Sequence, residues 1–168
     1  PPYSIQRFSY ISPVMNSQVG LPLTIFRIDH THEVAVIEMG ISEAGEMSKL
    51  ARVAKPTHAV ITNIGVSHIG QLGSRENIRK EKLNIVNEFG EASCLFVNGT
   101  DDMLMHILPF SEFLKLSDKE KTQKYDIIDV SDATVESLCR AEVVTFGCQK
   151  DCMYYATDAI VSSGHTKF

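Results

Sequence analysis

The sequence predicts an α/β fold with a doubly wound, mostly parallel sheet, and three observations carry that expectation. Three short runs rich in Val and Ile, VAVIE (34–38), THAVITN (57–63) and ASCLFVN (92–98), have the near-continuous apolar character of strands covered on both faces. The segments between them are long enough for helices and carry apolar residues at helical spacing. The chain has 168 residues, of which 43% are hydrophobic, enough for one core and too short for two comfortable ones.

Each element follows in order. After the first run, GEMSKLARVA (45–54) places Met47, Leu50, Ala51 and Ala54 on one face, and Pro56 ends the helix. After the second, SRENIRKEKLNIVNEFG (74–90) opens on Ser74 as an N-cap and stops at Gly90. Strand, helix, strand, helix, strand is the order of a doubly wound sheet. Beyond Asn98 the pattern weakens, because residues 109–125 are rich in Lys, Glu, Ser and Asp without a clear period and read as a solvated excursion. DIIDV (126–130), AEVVTFG (141–147) and MYYATDAIVSS (153–163) resume strand-like patterns, the last with the alternation of an edge or antiparallel strand.

Composition removes several function classes. A net charge of -5 gives no basic surplus for a phosphate backbone, so no nucleic-acid partner is expected. No apolar run reaches bilayer length, and PPYSIQRFSYISPVM at the start lacks the basic-then-apolar order of a signal peptide. The expectation is a cytoplasmic protein with no membrane insertion. The four cysteines, Cys94, Cys139, Cys148 and Cys152, are too few and too irregular for a disulfide framework. Cys148 and Cys152 form a CQKDC pair, but a structural zinc site needs four ligands and no second pair accompanies it.

In an open parallel sheet, ligands bind beyond the carboxyl ends of the strands. The first run ends at Glu38, Met39 and Gly40; the second at Thr62 and Asn63, followed by Gly65 and His68; the third at Asn98, Gly99, Asp101 and Asp102. One sheet edge therefore collects carboxylates, amides and an imidazole. That suits a magnesium-nucleotide site, since Mg²⁺ prefers oxygen ligands and needs only one or two protein groups beside phosphates. The plainer alternative is open for Asn98, Asp101 and Asp102, which serve equally as turn formers or as caps of a helix through Met103 and Leu104. His68 alone is weak evidence, since a lone loop histidine is more often solvated than liganded. Glu38 is led into directly by apolar residues, and an unpaired buried carboxylate is costly, so it calls for a cation.

Lys82 stands out on spacing alone. The apolar residues of its helix are Ile78, Ile85, Val86 and Phe89, and Lys82, four residues after Ile78, falls in the same inward stripe, whereas Arg79, Lys80 and Glu81 do not. Two outcomes are open to such a lysine: its stem packs while the ammonium reaches water, or desolvation leaves a reactive amine.

The ordered segments NSQVGLPLTIF (16–26), VAVIEMGISEAGEMSKLARVAKP (34–56), AVITNIGVSHIGQLGSRENIRKEKLNIV (59–86) and LFVNGTDD (95–102) resemble the central, ATP-binding domain of the Mur ligases. TFG (145–147) and TDAI (157–160) look like a weaker continuation. The NSQ-GLPLT and EMG…GEM patterns are most similar to the branch of the family that adds D-alanyl-D-alanine to UDP-N-acetylmuramoyl-tripeptide. What the resemblance implies is a P-loop-NTPase-like fold and a ligase of peptidoglycan precursor synthesis working with ATP and Mg²⁺. The substrate carboxylate attacks the γ-phosphate, and the incoming amine then displaces phosphate from the acyl-phosphate. By resemblance, Glu38 and His68 match residues that hold the metal, and Lys82 matches a lysine that becomes a carbamate, an anionic oxygen ligand. His68 and Lys82 are thereby the catalytic candidates. Asn63 and Ser67 match the loop that positions nucleotide phosphate or substrate, and Asn16, Ser17 and Thr24 match the segment that contacts the UDP-sugar.

The departures matter as well. The family's glycine-rich phosphate loop, of the form GxxGK[ST], is expected ahead of Asn16 and does not occur in these residues. The expected organisation is a leader over 1–15 without family resemblance, then an incomplete central domain over 16–168. Rival readings are a relative of folylpolyglutamate synthase or cyanophycin synthetase, and a non-catalytic binding domain that kept the sheet without the phosphate loop. The pattern after Glu38 speaks against the first; a well-folded chain that fails to bind ATP would favour the second.

Overall fold

The computed structural model describes residues 8–10, 18–105, 107, 117, 141–157, 160–162 and 165–167. The elements are β1 (Phe8–Tyr10), α1 (Gly20–Ile25), β2 (Val34–Val36), α2 (Glu46–Ala54), β3 (His58–Ile61), α3 (Ile69–Leu72) and α4 (Arg75–Leu83), which runs on into a 3₁₀ segment (Asn84–Glu88). Then follow β4 (Cys94–Asn98), β5 (Glu142–Gly147), β6 (Tyr154–Tyr155), β7 (Ile160–Ser162) and β8 (His165–Lys167). β3, β4, β5 and β6 pair in that order, all parallel, with Ala59 opposite Leu95 and Leu95 opposite Val143. β1 pairs in parallel with β2, and β7 with β8 as an antiparallel hairpin; the run read as one strand at 153–163 is divided, its first part being β6, parallel to β5, and its later part β7, which alone is antiparallel to its neighbour. β1 lies within the stretch read from sequence as a leader. The run DIIDV (126–130) lies outside the described residues.

The crossovers are amphipathic helices, as their spacing requires. α2 buries Met47, Leu50 and Ala51, and its chain turns out through Lys55 in the left-handed region, directly before Pro56. The Ser74 side chain accepts a hydrogen bond from the Asn77 N–H at 3.2 Å and so caps α4. These helices close over the sheet, and Leu50, Ile61, Ile78, Leu83, Val86, Leu95 and Val97 meet in one core. Among the described residues Asp101 and Asp102 lie in turns, with the Leu104 and Met105 N–H groups both donating to the Asp101 carbonyl. No helix among the described residues is long and apolar enough to cross a membrane.

One expectation is corrected. The first apolar run reads as a strand covered on both faces, but all three residues of β2 are exposed, Val36 by 60%. β2 has a neighbour on one edge only among the described residues, and β3 likewise, so the two strands flank a cleft instead of adjoining. Apolar composition records what a strand is suited to, whereas burial depends on what is beside it.

Candidate functional site

The cleft has a volume of about 880 Å³ and is bordered by consecutive residues of two segments, Val34 to Met39 and Thr57 to Thr62. Consecutive lining means that strand edges, rather than one face, look into it, because alternate side chains of a strand point opposite ways. Met47 from α2 and Lys82 and Ile85 from the helical segment behind complete the wall. Glu38 lies two residues past β2 and lines the same cleft as Lys82.

Glu38 is exposed, which corrects the argument that burial makes it call for a cation. Lys82 is half-buried, and its Nζ donates to the Asn63 carbonyl at 2.8 Å. Burial pushes its amine below the ordinary lysine range, and the negative charge of Asp101 opposes this. Asn63 and Ser67 are exposed on the loop between β3 and α3. His68 is exposed in a left-handed conformation (φ 60°) at the start of α3, and it does not line the cleft. The structure thus brings Glu38 and Lys82 to one cavity and does not bring His68 into its lining. Thr24 is buried on α1, away from the cleft, and Asn16 and Ser17 lie outside the described residues. Among the described residues no group of three or more His, Cys, Asp or Glu side chains is placed to hold a metal.

Two further corrections concern α4. Arg79 and Glu81, read as outward, are 2% and 5% exposed. The reason is that α4 has both α2 and α3 against it, so more than one stripe is covered. Glu81 is satisfied there: its carboxylate accepts from the Met47 N–H at 2.7 Å and the Gly45 N–H at 2.9 Å, at the start of α2, where helix N–H groups lack intrahelical partners. The Arg79 terminal nitrogens have no hydrogen-bond partner among the described residues. Lys80 is intermediate in exposure and lies outside the cleft lining.

Sequence reasoning left open a set of residues that hold the β3–α3 loop. Asn98 Nδ2 donates to the Thr62 carbonyl at 2.9 Å. Arg75 Nε and Nη2 donate to the Ile64 carbonyl at 3.1 and 2.9 Å, and Asp101 Oδ2 accepts from the Ile64 N–H at 2.9 Å. Asp102 takes the far side of the Arg75 guanidinium, from Nη1 at 2.8 Å and Nη2 at 2.5 Å. That bond holds the Asp102 carboxyl below its usual range. The signal was the pair of acids after the third apolar run; its partner, Arg75, stands 27 positions from Asp102 in sequence, beyond any local pattern.

A family model described as the Mur ligase middle domain matches residues 4–149. The chain is 46% identical over 91 residues to a UDP-N-acetylmuramoyl-tripeptide--D-alanyl-D-alanine ligase from Bacillus subtilis, covering 54% of this chain and 20% of that protein. Its counterpart from Treponema pallidum is 42% identical over 83 residues, covering 49% and 18%. Among solved structures, MurF from Acinetobacter baumannii superposes with a TM-score of 0.68 at 19% identity over 95% of this chain and 28% of that one. The MurF ligase from Thermotoga maritima, solved in complex with ADP, gives 0.63 at 22% identity over 95% and 30%. These likenesses establish the fold. The chain spans about a fifth of the length of the curated relatives it matches.

Proposed function

The chain belongs to the Mur ligase family, and on that premise we propose that it is part of the ATP-binding domain of a cytoplasmic ligase joining D-alanyl-D-alanine to UDP-N-acetylmuramoyl-tripeptide. The observation that carries the reading is that Glu38 and Lys82, far apart in sequence, line one cleft between β2 and β3. The names of the relatives from Bacillus subtilis and Treponema pallidum supply the substrates, and the bound ADP of the Thermotoga maritima protein supports a nucleotide.

The tripeptide carboxylate attacks the γ-phosphorus of ATP and ADP leaves; the amine of D-alanyl-D-alanine then attacks the acyl carbon, phosphate leaves, and the nitrogen gives up a proton. Bound Mg²⁺ supplies charge neutralisation at the phosphates. The donor set fits it modestly: Glu38 offers an accessible carboxylate, and one or two such groups are what Mg²⁺ takes beside phosphate oxygens. Lys82 as a free amine is a cation and repels a metal; as a carbamate it becomes an oxygen donor on the same wall. His68 is the third ligand in this reading. Asn63 and Ser67 orient phosphate or substrate from the β3–α3 loop, and Asn16, Ser17 and Thr24 belong to the UDP-sugar side.

Calorimetry and turnover test the reading together. The 168-residue chain contains no GxxGK[ST] loop, so it should take up Mg-ATP far more weakly than micromolar and turn over nothing. A full-length version carrying that loop ahead of Asn16 should release ADP only when both the UDP-tripeptide and D-alanyl-D-alanine are present. ADP release with a folate or with an amino-acid polymer as acceptor would move the chain to another branch, and a full-length version that neither binds nor hydrolyses ATP would make it a non-catalytic domain.

A further inference from the structure

We infer that Arg75 and Asp101 are positioning residues for the β3–α3 loop, fixing through Ile64 where Asn63, Ser67 and His68 stand. The inference deepens the ligase reading of that loop and rests on it. It starts from Ile64, whose side chain is 1% exposed in the core although its backbone has already left β3, which ends at Ile61. An apolar anchor drags its own N–H and C=O inward, and no strand ladder is there to pair them. Left unpaired, buried backbone groups are costly. Side chains from two other elements meet both needs: Asp101, just past β4, takes the N–H, and Arg75, the first residue of α4, gives two N–H bonds to the carbonyl.

Neither partner is free to drift. Asp101 is tied back to its own turn, with Oδ1 accepting from the Met103 N–H at 2.9 Å. The planar Arg75 guanidinium is held on its outer side by both oxygens of Asp102, which orients its inner side toward Ile64. Together with Asn98 on Thr62 and Lys82 on Asn63, three successive carbonyls at the start of the loop each receive a side-chain donor. From Val66 onward the loop is exposed, and it enters α3 through His68 in the left-handed region. A rigid stem thus carries an open tip that holds the candidate groups. Arg75 and Asp101 act through the main chain and touch no reacting atom.

Two readouts test this. Hydrogen exchange on the 168-residue chain should show amides 63–68 exchanging at least about tenfold faster in Arg75→Lys and Asp101→Asn, with β4 amides unchanged. Asp102→Asn, a change at an exposed side chain that leaves both Ile64 contacts chemically intact, should give a smaller increase at the same amides. In the full-length enzyme the first two variants should lower kcat on the order of tenfold to a hundredfold, as a misplaced catalytic group does, while KM for D-alanyl-D-alanine holds. Unchanged exchange at 63–68, exchange raised equally in β4, or faster loop exchange with wild-type kcat would each overturn the positioning role. A wild-type full-length enzyme that ligates nothing would sink the ligase reading, and the exchange experiment would still judge the brace.

Discussion

The carboxyl ends of β3 and β2 carry the same kinds of residue and are built in opposite ways. Past β3, the backbone of Thr62, Asn63 and Ile64 is held by Asn98, Lys82, Arg75 and Asp101, drawn from β4, its following turn and α4. Past β2, Glu38 stands exposed beside a strand whose residues are themselves exposed. The difference teaches that a polar residue at a strand end becomes part of a rigid frame only where a second element comes within one side chain's reach. β3 has β4 against it in register from His58 to Ile61, and that pairing brings Asn98 and Asp101 alongside; β2 borders open space on the corresponding side.

Lys82 joins the two regions, since its amine is bonded to the braced loop and its side chain lines the cleft with Glu38. Its removal should therefore have the largest effect. In a full-length version of the enzyme Lys82→Ala should lower ligation on the order of a thousandfold, as loss of a group that organises charge at the reacting phosphate does. Added bicarbonate or short carboxylates should restore part of it by returning anionic oxygens. Lys80→Ala, outside the cleft, should change it by less than about twofold. ADP release measures both, and equal behaviour of the two variants would remove the carbamate assignment while leaving the family membership intact.

The contrast in burial can be sharpened with one chemical change made twice. Val97 is fully buried in β4 and Val36 is mostly exposed in β2. Val97→Ala should cost about 2 kcal/mol, from two lost methyl equivalents plus a small cavity, and Val36→Ala less than about 0.5 kcal/mol. Urea unfolding midpoints decide it; similar losses would mean that β2 is covered in solution.

The smallest expected effect is on acid stability. Burial of Glu46 raises its carboxyl, but bonds from the Ser42 N–H at 2.7 Å, from Gln18 and from the Glu43 N–H outweigh it and hold the group below the usual carboxylate range. A folded value below the unfolded one stabilises above the unfolded value, and that contribution is lost as pH falls through the folded value. Melting temperature should therefore drop between roughly pH 5 and pH 3, and less steeply in Glu46→Gln. Parallel profiles for the two proteins would show that other carboxylates carry the acid response.

Much of this was legible from spacing. Met47, Leu50 and Ala51 fall on the inner face of α2 and Ser74 caps α4, whereas the stripe through Ile78 was a poor guide, since Lys82 is half-buried and Arg79 and Glu81, off that stripe, are more deeply buried. The first two features are local, decided by residues within a turn or two. The brace around Ile64 and the burial of Glu81 were not legible, because the partners lie 37 and 34 positions away and no periodicity connects them. The openness of β2 was hidden for a related reason: its composition suits burial, and the vacancy beside it belongs to the tertiary arrangement.

The cleft between β2 and β3 also bears on how the chain behaves in company. An unpaired strand edge offers a row of N–H and C=O groups to any passing extended segment, and charge, proline or a covering loop is what normally blunts it. Among the described residues two such edges lie close together, with Val34, Val36 and Val60 exposed along them. Charge guards the cleft only at Glu38, Lys55 and Lys82, near the ends of the strands. Among the described residues nothing covers these edges, and a lysine in place of Val36 or Val60 should lower any concentration-dependent association of the chain that runs through sheet extension.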